Sequence, residues 1–138
     1  MKVLLDTNII LDVLLARAPF AEHSTLVVAM AESGKIDGCL CATTFTTIHY
    51  LTSKALGARK ARGANEKLLN IFAAAGVDHS VLESSLHVGF SDYEDAVIHQ
   101  AALQDGVEII VTRNPKDFKK ARLKVLTPIE FLALYPNG

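Results

Sequence analysis

Acidic residues gather in three short passages, each read as lying where an apolar segment runs out: Leu4-Leu5-Asp6-Thr7-Asn8, Ser91-Asp92-Tyr93-Glu94-Asp95, and Val111-Thr112-Arg113-Asn114-Pro115-Lys116-Asp117-Phe118. In an open α/β sheet the carboxyl ends of parallel strands line one crevice, so acids far apart in sequence can meet there. Carboxylates that meet repel one another, and a divalent cation is the usual remedy. The chemistry to look for is therefore that of an oxygen-ligated metal ion.

Each passage also has a plainer reading. Asp6, Thr7 and Asn8 are all good helix N-caps. Ser91 and Glu94 have the S-x-x-E spacing of a capping box, which leaves Asp92 and Asp95 without a capping duty. Asp92 suits the positive end of a helix dipole in any case. Asp95 is harder to dismiss, because steps of three and four from it reach Ile98, His99 and Ala102, a stripe that tends inward. An ionised group on a packed face must be paired or metal-bound. His99, one turn on, is its simplest partner. Asp117 has the plain alternative of capping a short helix through Phe118, Lys119 and Lys120.

The elements that must position these residues alternate between strand and helix. Lys2 to Leu5 reads as a short buried strand and Asn8 to Leu15 as an apolar-rich helix that stops near Arg17-Ala18-Pro19, since proline disfavours helix in the residue before it. A second helix covers Ala21 to Ser33 with Gly34 as its stop, and Gly38 to Ala42 is the next strand. Thr43 or Thr44 caps a helix to about Leu56, ended by Gly57. The spacing of Leu68, Leu69, Phe72 and Ala75 predicts helix from Arg62 to Ala75. Val77 to Val81 reads as a strand, Leu82 to Val88 as a short helix, and Ser91 as the start of a stronger one. Glu108 to Thr112 is the clearest strand, and Lys124 to Leu126 a last one. Thr127-Pro128, an N-cap followed by proline at the first helical position, opens a closing helix to Leu134. This alternation predicts an α/β fold with a parallel sheet covered on both faces and joined by right-handed crossovers. A length of 138 residues suits one domain over residues 1–138.

Composition narrows the setting. With 50% hydrophobic and 21% charged residues, the chain is neither disordered nor fibrous in character. No apolar run approaches the roughly 20 residues that cross a bilayer. The chain enters a strand at once, which argues against a signal peptide and for the cytoplasm. Cys39 and Cys41 share one face of a strand. A C-x-C pair alone cannot build a four-ligand zinc site, so they read as small buried apolar residues in a reducing compartment. A net charge of −1 exerts no global pull on nucleic acid, so any attraction must be local. Two basic runs are available for it: Arg59-Lys60-Ala61-Arg62 with Lys67, and Arg113, Lys116, Lys119, Lys120, Arg122 and Lys124. The plain reading of each is a solvated face.

Together the acidic passages resemble the PIN domain, a nuclease fold used by many toxins of prokaryotic type II toxin–antitoxin pairs, and the resemblance covers nearly the whole chain. Leu5-Asp6-Thr7-Asn8 is similar to the family's opening D-x-N motif, Glu94-Asp95-Ala96 to its third acid with Asp92 as an additional one, and Thr112-Arg113-Asn114 with Asp117-Phe118 to its T-R-N/D…D-F ending. The resemblance implies a three-layer α/β/α fold with a central parallel sheet of about five strands. It implies a metal-dependent endoribonuclease in which Asp6, Asp95 and Asp117 hold Mg²⁺ or Mn²⁺ while Asp92 or Asp117 orients the attacking water. Asn8 or Thr7, Thr112 and Asn114 would be supporting polar groups, and Arg113 and Lys116 would bind substrate phosphate. An RNA substrate, a homodimer and an antitoxin that blocks the cleft are implied as well.

One departure stands out. Family members usually carry a second acid on the helix after the second strand, whereas here that helix, Thr43 to Leu56, has no Asp or Glu and Thr47 takes the acid's place. A hydroxyl can bind a metal water but brings no charge, so cation affinity should fall. This admits an alternative, a domain of the same fold that binds RNA or protein without cutting. A phosphoryl-accepting Asp6, as in receiver or haloacid dehalogenase-like folds, fits less well. The former place the acceptor after a middle strand, and the latter expect D-x-D where this chain reads Asp6-Thr7-Asn8.

Overall fold

In the computed structural model, which describes residues 1–138, five strands form one sheet: β1 (Lys2–Leu5), β2 (Asp37–Cys41), β3 (Ala73–Ala75), β4 (Ile109–Val111) and β5 (Lys124–Leu126). Their order is β3-β2-β1-β4-β5, and every neighbouring pair is parallel. The helices are α1 (Thr7–Leu14), α2 (Ala21–Glu32), α3 (Ala42–Leu56), α4 (Ala58–Ile71), α5 (His79–Ser84), α6 (Tyr93–Gln104) and α7 (Pro128–Leu134), with a 3₁₀ turn at Pro115–Phe118.

Strand side chains alternate between faces, and this builds two cores from one sheet. Val3, Leu5, Leu40, Ile109 and Val111 pack with Ile9, Ile10, Val27, Phe45, Leu68 and Phe131 on the side of α1, α2, α3, α4 and α7. The intervening Leu4, Cys39, Cys41 and Ile110 pack with Val81, Val97, Ile98, Ala101 and Ala102 on the side of α5 and α6. The result is the expected three-layer α/β/α arrangement around a parallel sheet. Both cysteines are free and buried, and burial pushes the Cys39 thiol up to about 12, so it stays protonated. No helix is long and apolar enough to cross a membrane.

The topology matters for the site. From central β1 the chain steps outward to β2 and β3, then returns to the other side of β1 for β4 and β5. The order therefore reverses between β1 and β4, where Leu5 lies beside Val111. A crevice opens outside the carboxyl ends of strands at such a reversal.

Several expected boundaries move. The segment predicted as the end of a helix, Ala73–Ala75, is instead edge strand β3, and α4 runs from Ala58 to Ile71. Alanines keep up a helical spacing, but buried Phe72 turns extended (φ −115°, ψ 139°) and delivers Ala73 and Ala75 to Cys39 and Cys41 of β2. Val77–Val81 is not a strand, because Asp78 caps α5 by accepting from Val81 N at 3.0 Å; α5 accordingly covers His79–Ser84 rather than Leu82 to Val88. Neither Thr43 nor Thr44 caps α3: the cap is Cys41, one residue after which the helix begins. The Thr127–Glu130 capping box of α7 does form.

Gly38 on β2 shows how closely the first core is packed. A Cβ there would lie 2.8 Å from Ala31 Cβ and 2.9 Å from Phe72 Cδ1. Gly38→Ala is expected to destabilise the fold by about 1–3 kcal/mol through overpacking. Thermal melts check this; an unchanged midpoint would show that Phe72 is free to give way.

Candidate functional site

The crevice between β1 and β4 is built from backbone first. Asp6 leaves β1 in extended conformation (φ −69°, ψ 156°) as the N-cap of α1, its N–H donating to Val111 O at 2.9 Å. Its Oδ1 accepts from Thr7 N at 2.8 Å, and its Oδ2 accepts from Thr112 Oγ1 at 2.7 Å and Asn8 Nδ2 at 3.3 Å. Capping and site-building are thus the same act for Asp6. Only 6% of it is exposed, and burial holds its carboxyl above the ordinary range despite the Thr112 and Thr7 donors; Glu94 and Asp117 add to the rise. The β4 side is tied in turn: Thr112 Oγ1 accepts from Asn114 N at 3.1 Å, and Asn8 Oδ1 accepts from Arg113 N at 3.3 Å.

Helix α6 supplies the other acids. Asp92 is its N-cap, accepting from Asp95 N at 3.1 Å, so the predicted Ser91–Glu94 capping box does not form. Aspartate one residue later takes the cap, and Glu94 is left free. A cavity of about 250 Å³ is then lined by Asp6, Thr7, Asn8, Asp92, Glu94, Asp95, Asn114 and Asp117, with Leu11 and Ile98 as its apolar part. Five carboxylates from three regions of the chain converge on it, and no Lys, Arg or His lines it. Larger depressions exist elsewhere, but they are mostly apolar or lack this concentration of like charge.

Asp95 registers that concentration. Partial burial, followed by repulsion from Asp6, Asp92, Asp117 and Glu94, pushes its carboxyl up to about 7. Its sequence-predicted partner is not there. His99 is fully buried with Nδ1 2.9 Å from Gln100 Oε1, and its Nε2 accepts from Arg122 N at 3.0 Å. Burial lowers the His99 pKa and keeps the ring neutral, suited to accepting that backbone N–H.

The remaining predicted residues divide. Asn114 and Asp117 line the cavity, and buried Thr112 braces it. Thr47 is half-buried on α3 and outside the lining; the α3 hydroxyl that reaches the first loop is Thr44, 2.9 Å from Thr7 Oγ1. Lys116 lies in a neighbouring groove. Arg113 is not among the residues that line the cavity and is engaged elsewhere. Its Nε forms an ion pair with Asp12 Oδ2 at 2.9 Å, not aligned as a hydrogen bond, and its Nη2 donates to Asp12 Oδ1 at 3.3 Å. The guanidinium lies 4.0 Å from the Phe20 ring centroid. Asp12, fully buried, and Glu94 are the residues that sequence reasoning missed.

An all-oxygen donor set with no charge partner fits a hard divalent cation such as Mg²⁺ or Mn²⁺. The acids do not close on a single point: no three acidic, histidine or cysteine side chains form a finished ligand cage. An open arrangement suits an ion that keeps several of its waters.

The repulsion has a measurable consequence. Folding raises the Asp95 pKa from 3.8 to about 7, so the folded state binds this proton more tightly than the unfolded one. The contribution to stability is greatest below pH 3.8 and is lost as pH rises through 7. Asp95→Asn is therefore expected to stabilise the chelator-treated protein at pH 8 by about 1–2 kcal/mol, a figure reduced for the solvent screening of a partly exposed carboxylate and for ~0.5 kcal/mol of lost helix-dipole interaction. Its melting temperature should vary less with pH between 5 and 8 than the parent's. A variant less stable than the parent at pH 8 would mean that Asp95 is already paired.

The sequence profile of the PIN domain family matches residues 2–116. Ribonuclease VapC1 of Aquifex aeolicus (strain VF5) is 27% identical over 135 residues, covering 94% of this chain and 92% of that protein. A toxin-antitoxin complex from Klebsiella pneumoniae contains a chain with TM-score 0.69 and 24% identity, over 91% of this chain and 97% of that one. The DNA-bound VapBC structure from Salmonella typhimurium gives TM-score 0.71 at 18% identity, over 93% and 98%. At such identities the structural likenesses speak for the fold.

Proposed function

Since this chain belongs to the PIN domain family, we propose that it is a metal-dependent endoribonuclease acting as the toxin of a type II toxin–antitoxin pair. The observation that carries the reading is the meeting of five carboxylates, with no cationic side chain among them, at the β1/β4 reversal. A relative named as a ribonuclease and neighbours drawn from toxin-antitoxin complexes support it.

Asp6, Asp95 and Asp117 would hold Mg²⁺ or Mn²⁺. Bound there, the ion would lower the pKa of a coordinated water and neutralise phosphate charge. The protein's own part is positioning. Thr112 and Asn8 fix the Asp6 carboxylate by hydrogen bonds at 2.7 and 3.3 Å, so its direction does not depend on the substrate. Asn114, held through Thr112, presents a neutral amide at the cavity edge. Asp92, the cap of α6, or Asp117, on the turn after β4, would orient the attacking water. Glu94 offsets the acid that α3 lacks, so the Thr47 substitution weakens cation affinity without removing the site's charge.

The antitoxin would find a suitable surface on the far side of α1. A groove of about 440 Å³ is lined by Ile10, Val13, Leu14, Leu68 and Ile71, with Lys60 and Lys67 among its lining residues. An amphipathic helix with acidic flanks matches that combination.

The test is cleavage of end-labelled single-stranded RNA by the purified chain with Mg²⁺, Mn²⁺ or EDTA. Internal cuts that depend on either metal support the reading. RNA binding without cuts under all three conditions would favour the non-cutting module instead.

A further inference from the structure

Next to the acidic cavity lies a groove of opposite charge. Asp117 belongs to both; the groove, about 280 Å³, is otherwise lined by Gly89, Phe90, Ser91, Lys116, Lys119 and Lys120. All three lysines are exposed, and none of them takes part in any of the ion pairs of the molecule. A surface lysine without a carboxylate partner retains its full charge for a ligand. Three of them beside a single acid make this the positive wall of an otherwise negative site.

The groove is also held in shape from beneath. One wall is the loop Gly89–Ser91 and the other is the turn carrying the lysines, and aromatic packing joins them. Phe118, only 2% exposed, meets Phe90 edge-on at 5.9 Å and 82°. Phe90 in turn lies 5.0 Å from the His99 ring, whose Nε2 accepts from Arg122 N just past the turn. The unexpected hydrogen bonding of His99 thus has a use: it ties α6, the loop and the lysine turn into one unit. A backbone held in this way fixes where the three lysines are rooted, which lowers the ordering cost of gripping a flexible polyanion.

We propose that this groove binds the phosphodiester backbone of single-stranded nucleic acid next to the scissile bond, with Lys119 and Lys120 holding phosphates beyond the reach of the acidic cavity. The proposal rests on the nuclease reading for the identity of the polyanion. It assigns the strand a grip on one side of the cut, where Asp117 marks the boundary between the repelling and the attracting walls. Lysine contacts of this kind read charge and not base sequence, so they contribute affinity and salt dependence.

The experiment is fluorescence anisotropy of a labelled single-stranded RNA with the full chain in EDTA, which separates binding from cutting. For the parent, affinity should fall with rising salt. In Lys119→Gln/Lys120→Gln the dissociation constant should rise about tenfold at low salt, and the log–log salt slope should flatten by about 1.4, at roughly 0.7 per lost phosphate contact. The control Lys54→Gln/Arg59→Gln, of equal charge change on α3 and α4, should shift binding by less than about threefold. Equal losses in both variants would reduce the effect to net charge and overturn the proposal, as would unchanged binding in the groove variant or no RNA binding by the parent. Groove-dependent binding of a labelled poly-aspartate together with absent RNA binding would reassign the groove to an acidic protein segment. Intact groove-dependent binding with no cleavage in any metal would sink the nuclease reading alone.

Discussion

Asp6→Asn is expected to lower metal-dependent RNA cleavage by about 10²–10⁴-fold, since a charge that helps hold the ion is worth several kcal/mol in the transition state and each 1.36 kcal/mol is tenfold in rate. The fold should survive. The asparagine oxygen still accepts one of the donors now converging from Thr7, Asn8 and Thr112, while its amide nitrogen faces another. That mismatch costs about 1–2 kcal/mol. Part of it is offset, because Asp6 is buried beside Glu94 and Asp117 and burial already disfavours its ionised form. Rates and melts on the same preparation check the claim. Cleavage within about threefold of the parent would remove Asp6 from the chemistry, and a collapsed melting temperature would make it a purely structural cap.

The second large effect lies outside the cavity. Asp12→Ala is expected to destabilise the protein by about 2–4 kcal/mol, somewhat below the range for breaking a fully buried ion pair because Arg113 and Arg17 keep part of their access to solvent. Asp12 is fully buried on α1 and faces Arg113, 2.9 Å away, with Arg17 at 3.8 Å. Its pKa is raised because burial outweighs the attraction of both arginines, so the pair sits near the limit of what its partners can support. Removing the carboxylate strands the Arg113 guanidinium against Phe20. For a chain of this size the melting temperature should fall by roughly 10–20 °C. The double variant Asp12→Leu/Arg113→Leu should recover much of that loss, since an apolar pair of similar volume avoids the desolvation cost. A double variant as unstable as Asp12→Ala would show that the packing of these side chains, and not their charge, holds α1 to the β4 loop.

How much of this could be read from sequence follows the range of the interactions. Asp6-Thr7-Asn8 was legible because a cap, a strand end and a D-x-N spacing are local features, and the three-layer fold was legible because alternation is periodic. Asp95 was marked by the inward stripe it begins. Its expected partner His99 was not legible, because the competing donor is the backbone N–H of Arg122, 23 residues on. Arg113 was assigned to phosphate by its neighbours in sequence, while its actual partner Asp12 lies 101 residues away on α1. Glu94 was hidden by a local rule, the S-x-x-E box, that lost to Asp92 by one residue. Ala73–Ala75 became a strand because β2 offered an edge and Phe72 a place in the core, neither of which a run of alanines announces.

Isothermal titration calorimetry with Mn²⁺ at pH 8 addresses the meeting of carboxylates most directly, without relying on turnover. The parent should bind with release of protons, because the Asp95 carboxyl, pushed up to about 7, still holds a fraction of its proton there. Asp6→Asn and Asp95→Asn should each weaken binding by at least about tenfold, with the folded state verified by melting. Undetectable Mn²⁺ binding by the parent, or equal affinity in all three proteins, would contradict the reading of this crevice as a cation site.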